Sequence, residues 1–170
     1  MLYIVIIGIL VLLITFIIAG RSAAPWVPTK NKNIARAIEV AGIKPGQTVV
    51  DIGCGDGRLA FAAAANGANA IGYEISLIPF LIAKIRWLFS KQQKNVSIRF
   101  KSLWRVDLGQ FDIIYVFLLP QILGKLEKKL EKELKPGAKV IVHCWALPTW
   151  KPKLVSDVKN ELRFYLYIHP

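Results

Sequence analysis

The chain has 170 residues, a net charge of +12 and a hydrophobic fraction of 54%. Its length fits one domain of ordinary size, and its two cysteines, Cys54 and Cys144, are too few and too far apart for a disulfide framework, which fits a reducing compartment. His143 and His169 stand in no ligand spacing with a carboxylate or thiol, so no metal site is expected. The apolar excess sits at the front. Residues 2–19 carry no charge, and about 18 apolar residues at 1.5 Å each just span a bilayer core of ~30 Å. Arg21, Lys30, Lys32 and Arg36 follow, and no basic side chain precedes the run. This predicts a transmembrane anchor over residues 1–20, with the rest of the chain on the cytoplasmic side. A cleaved signal peptide is the alternative. Small residues at 19–24 suit it, but it lacks the basic start and has too long an apolar core. The basic remainder is expected to favour an anionic membrane surface. Nucleic acid is the other reading of such charge. It ranks lower, because the lysines are spread along helices and no RNA-binding signature is present.

Residues 21–46 read as a Pro25- and Pro28-containing linker, a helix over 31–41 with Ile34, Ala37, Ile38 and Ala41 on one face, and a turn at Lys44-Pro45-Gly46. From residue 47 to 170 the pattern is that of one folded core. A strand over 47–52 runs into a loop with Gly53, Gly55 and Gly57, which allow a sharp turn and a close approach to a ligand. The loop is acidic, with Asp51 at the strand end and Asp56 inside. Two carboxylates repel a phosphate and suit a ligand with a cationic part, such as S-adenosylmethionine with its sulfonium and ammonium. An alanine-rich helix over 59–65 follows, then a strand over 68–74 that ends in Glu74. An acid about 20 residues past such glycines is placed to accept hydrogen bonds from ribose hydroxyls. A dinucleotide site and a ligand-free turn are the alternatives. The spacing GxGxG, rather than GxGxxG, weighs against a nicotinamide ligand.

A very apolar helix is expected from residue 77 to about 92, with Pro79 in its first turn. It carries Phe80, Trp87, Leu88 and Phe89 together with Lys84, Arg86 and Lys91. A two-sided core helix is the preferred reading, and a helix leaning on a bilayer interface is the alternative. Strands over 96–101, 111–118 and 138–145 flank an amphipathic helix over 121–134, whose leucines at 123, 126, 130 and 134 repeat at helical spacing. The tail, 153–158 and 162–168, reads as a closing antiparallel hairpin around Lys159-Asn160. Alternating strands and helices predict an α/β fold with a doubly wound, mostly parallel sheet.

From about Trp26 to Trp150 the chain resembles the class I, Rossmann-like methyltransferases that bind S-adenosylmethionine. Within them it is similar to the membrane-anchored protein lysine methyltransferases, which include the mitochondrial enzymes acting on the ATP synthase c-subunit and the adenine nucleotide translocase, with prokaryotic relatives. The segments that carry the resemblance are Val27-Pro28-Thr29, residues 51–58, Gly72-Tyr73-Glu74, Leu103-Trp104-Arg105-Val106, residues 116–121, Lys135-Pro136-Gly137-Ala138, and Pro148 with Trp150. The resemblance implies S-adenosylmethionine as cofactor and a lysine of a membrane protein as acceptor. The N-terminal run is not Arg-rich and amphipathic like a mitochondrial targeting segment, so a prokaryotic plasma membrane is expected in preference to the mitochondrial inner membrane. Asp51, Gly53, Gly55, Asp56, Gly57, Glu74, Ser102 and Leu103 are the expected cofactor residues. The family usually has Asp just before Leu-Trp, where it would meet the adenine amino group; here that position is Ser102. The apolar, proline-fixed loop with Leu118 and Pro120 lies beyond a strand's carboxyl end and is the expected acceptor site; an ordinary strand-to-helix connection is the alternative. Thr29 is expected either to close the site or simply to begin the first helix. No residue is identified as a general base. Small-molecule or lipid methylation, and cofactor binding without catalysis, remain open on the same fold. The sequence gives no oligomeric state.

Overall fold

The computed structural model describes residues 1–10, 13 and 27–170. Helix α1 (Asn31–Ala41) leads to β1 (Thr48–Ile52), α2 (Arg58–Ala65), β2 (Asn69–Glu74), α3 (Leu77–Leu88) and β3 (Val96–Phe100). After a short 3-10 turn (Leu103–Arg105) come β4 (Ile113–Val116), α4 (Pro120–Glu133), β5 (Lys139–His143), β6 (Leu154–Ser156) and β7 (Phe164–Ile168). The sheet order is β3-β2-β1-β4-β5-β7-β6. β1 to β5 pair in parallel, and β7 runs antiparallel to both β5 and β6. The chain moves outward from β1 through β2 to β3, then returns to place β4 on the other side of β1. That reversal opens a crevice beyond the carboxyl ends of β1 and β4.

β1 and β4 are apolar on both faces because helices cover both sides of the sheet. On one face Val50, Ile52, Ile114, Val116, Val140 and Val142 pack with Leu123, Leu126 and Leu130 of α4. On the other, Val49, Ile113 and Ile141 meet the alanines of α1 and α2. Small residues on α2 let the helix lie close to the sheet. Gly72 serves the same end: a Cβ there would stand 2.7 Å from the Cys54 sulfur. The expected leucine stripe of α4 is buried. Between its leucines Glu127, also buried, accepts the backbone N–H groups of Thr149 (3.0 Å) and Trp150 (2.8 Å), which ties the chain after β5 onto α4.

Three expectations change. The helix over 77–92 is not a two-sided core helix: α3 buries only Pro79 and Ala83, and its opposite face is apolar and exposed. The fifth strand stops at His143, two residues early. Cys144 adopts φ 79°, a left-handed conformation unusual for a side-chain-bearing residue, and its N–H turns to the Arg163 carbonyl. Trp145 therefore leaves the sheet. The expected anchor over residues 1–20 falls in part on 11, 12 and 14–20, which lie outside the described residues. Residues 2–10 are helical, and among the described residues no helix is long and apolar enough to cross a membrane.

Candidate active site

The crevice at the switch point is a cleft of ≈ 1010 Å³, counting its open mouth. One end is built by the β1–turn–α2 unit and the end of β2. Gly57 caps α2 at φ 78°, where a side chain would be strained and would meet Phe61 and Ile98. A Cβ on Gly53 would press on Leu118 at 3.2 Å, so the loop can lie close to whatever fills the cleft. Glu74 is buried. One of its oxygens accepts the Gly55 N–H (2.8 Å), and the other accepts those of Ile75 (2.8 Å) and Ser76 (2.7 Å). The same carboxylate thus fixes the glycine loop and still offers lone pairs to the cleft. Asp51 lines the cleft, is buried and makes no hydrogen bond among the described residues. Burial, then the charges of Glu74 and Asp56, push its pKa up to about 8. An unpartnered buried carboxyl in this state is one that a cationic group would ionise. Cys54 sits among the same acids. Burial, then the charges of Asp51, Glu74 and Asp56, push its thiol well above the usual value.

Asp56 does not act as a second free acid. Its carboxylate is gripped by Arg58 through Nε (2.9 Å) and Nη2 (2.7 Å), and by Arg86 at 3.0 Å. Burial pulls this carboxyl upward, but the Arg58 hydrogen bonds and the two guanidinium charges outweigh that and hold it below the ordinary range. Asp56 lines the cleft with its charge already held by two arginines, whereas Asp51 and Glu74 line it with no salt bridge among the described residues. Arg58 also donates to the Thr29 carbonyl at 2.9 Å, which draws residues 27–29 across the cleft.

The other end of the cleft is lined by Thr29, Tyr115, Phe117, Leu118, Leu119 and Trp145. Thr29 does not begin the helix: α1 starts behind Lys30, without a side-chain cap. Its side chain approaches the Tyr115 hydroxyl instead. Tyr115 pairs with Asp51 across β1 and β4, so the acid and the phenol are neighbours in one row. Burial, then the Asp51 charge, raise the Tyr115 pKa, which keeps the hydroxyl protonated. That hydroxyl also meets His143 Nδ1 at 3.1 Å. The His143 ring lies between Phe117 (4.3 Å) and Phe164 (4.3 Å, nearly parallel at 5°). Burial, then the nearby Arg36 charge, lower its pKa to about 4, so the imidazole is neutral at ordinary pH.

Leu118 lies in the lining, whereas Pro120 does not: it is exposed and opens α4. Ser102 and Leu103 line the cofactor end, and Ser102 Oγ accepts the Trp104 N–H while capping the short 3-10 turn. Gly57 shapes the loop from behind. The sequence reading missed Tyr115, His143 and Trp145. Nothing local marked the ends of β4 and β5 as one pocket.

The chain matches the ANTKMT methyltransferase domain over residues 51–154. It is 37% identical over 134 residues to the ATP synthase c-subunit lysine N-methyltransferase of Homo sapiens, covering 78% of this chain and 56% of that protein. The chain thus spans little more than half the length of this curated relative. It is 35% identical over 154 residues to a protein-lysine N-methyltransferase of Saccharolobus islandicus (strain REY15A), covering 85% of this chain and 92% of the relative. Among solved structures, an RNA methyltransferase from Salinibacter ruber in complex with S-adenosyl-L-homocysteine superposes with a TM-score of 0.81 at 27% identity, over 85% of this chain and 94% of that one.

Proposed function

The chain belongs to the ANTKMT methyltransferase domain family, and on that footing we propose that it is an S-adenosylmethionine-dependent methyltransferase whose acceptor is a lysine side chain of a membrane protein. The observation that carries the reading is the pairing of Asp51 with Tyr115. It sets an unpartnered acid suited to the cofactor's ammonium beside a protonated hydroxyl in an aromatic pocket. The residues fit the cofactor: the glycine loop leaves room at Gly53, Asp51 is free to take a cation, and Glu74 keeps acceptor sites for ribose hydroxyls.

When bound, S-adenosylmethionine supplies a methyl group activated on a sulfonium. Transfer is an in-line displacement, so positioning carries the catalysis and can contribute up to ~7–11 kcal/mol. The chain's residues divide that task. Asp51 and Glu74 hold the donor from the β1 and β2 ends. Phe117, Leu118 and Trp145 make an apolar acceptor pocket, which disfavours the charged ammonium and lowers an entering lysine's pKa. The Tyr115 hydroxyl, fixed by neutral His143, orients the amine by hydrogen bonding. Its raised pKa keeps it from acting as a phenolate base.

The membrane part of the reading rests on the uncharged run at 2–19 and the positive charge that follows it. The human relative is named for the c-subunit of ATP synthase, which supports a membrane-protein acceptor. We place the domain on the cytoplasmic side. Carbonate washing should leave the chain in membranes, and protease added to intact cells should leave the domain uncut. A second reading, methylation of RNA, has support in the net charge of +12 and in the Salinibacter neighbour. The archaeal relative, which matches over nearly its whole length and is named for protein lysine, favours the first. The test is transfer of radiolabelled methyl from S-adenosylmethionine into membrane fractions, separated into protein, lipid and RNA. Label on lysine of a membrane protein is expected. Label confined to RNA or lipid would overturn the assignment.

A further inference from the structure

α3 presents two apolar faces, and only one of them is used. Pro79 and Ala83 are buried against the sheet. On the opposite side Ile78, Leu81, Ile85, Leu88 and Phe89 follow one another at helical spacing and are between 47% and 85% exposed. A row of five exposed large apolar side chains, four on one helix and the fifth at its C-cap, is not ordinary surface scatter. Phe100, itself exposed, packs beside the row against Phe80, with ring centroids 5.2 Å apart. Within the described residues nothing covers the row: helical residues 2–10 are themselves exposed rather than packed on it.

Charge identifies the occupant. Lys84 lies along one edge of the stripe, with its ammonium 4.7 Å from the Trp87 ring centroid. Lys91 and Lys94 stand exposed just past its end, and Lys101 follows Phe100. No acid interrupts residues 75–106, while Lys and Arg recur through them. A second copy of the chain would bring the same cations against themselves, which opposes self-association. An apolar ridge rimmed by cations is the arrangement that lies in the headgroup boundary of an anionic bilayer. We infer that the outer face of α3, from Ile78 to Phe89 with Phe100, is a docking surface that inserts into an anionic lipid leaflet. Ile75 and Ser76, at the start of α3, and Lys101 line the cleft. Docking therefore holds the cleft beside the leaflet surface. This is a second contact, separate from the N-terminal run, and it does not depend on the identity of the methyl acceptor.

The test uses the full chain in vesicles of pure lipid, with hydroxyl-radical footprinting read by mass spectrometry. In vesicles rich in phosphatidylglycerol, Leu81, Ile85, Leu88 and Phe89 should be protected from oxidation. Exposed Val155, Val158 and Leu162 serve as controls and should stay reactive. In phosphatidylcholine vesicles the protection should fall. Lys91→Glu with Lys94→Glu leaves the apolar row intact and should shift the docked fraction by roughly thirtyfold in the undocked direction. Leu81→Glu with Ile85→Glu should abolish protection of Phe89, with S-adenosylhomocysteine binding retained as the check on folding. Absence of protection in anionic vesicles overturns the inference. So does protection that is indifferent to lipid charge, or that grows with protein-to-lipid ratio and marks self-association. All these readouts are independent of methyl transfer, so their failure is distinct from failure of the enzymatic reading.

Discussion

At the Gly53–Gly57 end of the cleft, most of the lining comes from one strand–turn–helix unit and the end of its neighbouring strand, with Ser102 and Leu103 added from beyond β3. At the other end the lining residues come from widely separated places: Thr29 before α1, Tyr115 and Phe117 from β4 and its end, Trp145 from beyond β5. Asp51 and Tyr115, paired across β1 and β4, are where the two constructions meet. The first end is held by its own hydrogen bonds, from the Gly55 N–H to Glu74 and from Arg58 to Asp56. The second is held by stacking, with the His143 ring between two phenylalanines. Donor binding and acceptor positioning should therefore be separable by mutation.

The strongest loss is expected at the donor end. Glu74→Ala removes the acceptor of three backbone N–H groups together with the expected ribose partner. Hydrogen bonds to charged groups are worth ~1.5–3 kcal/mol each, so losing two or more should weaken cofactor binding on the order of a hundredfold. Calorimetry with S-adenosylhomocysteine measures this. If Tyr115→Phe weakens the cofactor equally, the two ends are not separable.

The same contrast explains what the sequence disclosed. The donor end was legible because its parts are contiguous: the strand, three glycines and the next strand's acid lie within residues 47–74. α1 and α4 were legible by their periodic apolar positions, α2 by its alanine-rich composition, and the parallel sheet by alternation of elements. The acceptor end was only half legible. Leu118 was placed by the rule that sites lie beyond strand ends, but Tyr115 and Trp145 come together only through the strand order. The φ of 79° at Cys144 that frees Trp145 left no compositional trace. At Asp56 the sequence showed the acid but not its partners: Arg58 folds back onto it, and Arg86, 30 residues on, reaches it only in the folded chain. The face of α3 misled because local periodicity reports apolar positions, not which of them find a partner.

Next in size is the acceptor end itself. Tyr115→Phe keeps the ring in its packing and removes one neutral hydroxyl, typically worth ~1 kcal/mol. The maximal methylation rate should fall roughly fivefold to tenfold, with cofactor affinity unchanged. Single-turnover transfer at saturating cofactor checks it, and an unchanged rate would remove Tyr115 from amine positioning. Trp145→Ala should act more gently. Trp145 is 44% exposed, so its truncation removes only part of the apolar wall that would receive the lysine stem, about one methylene's worth of burial or ~0.8 kcal/mol. The acceptor KM should rise roughly threefold to fourfold, again with unchanged cofactor affinity. A kcat effect without a KM effect would move Trp145 from acceptor capture to the transfer step.

The last effect probes the boundary between the two ends and is spread over a range of pH, because it depends on Asp51. In the ligand-free chain its pKa stands at about 8 against an ordinary 3.8, through burial and the neighbouring acids. Between those values the folded chain holds a proton that the unfolded chain has released. Its stabilising contribution is complete below the unfolded value and is lost as pH rises through the folded one. Thermal unfolding of the ligand-free protein should therefore come at lower temperature as pH is raised from about 6 to about 8, and Asp51→Asn should flatten that slope. Cofactor binding reverses the preference, since an ammonium beside Asp51 favours the ionised acid. From about pH 6 to about pH 7, where the ligand's own amine stays protonated, affinity should climb by up to roughly tenfold. Calorimetry across that interval gives the slope directly. A wild-type affinity independent of pH, or an Asp51→Asn variant that keeps the wild-type slope, would show that the cation does not sit at Asp51. The meeting point of the donor and acceptor ends would then have to be sought elsewhere in the cleft.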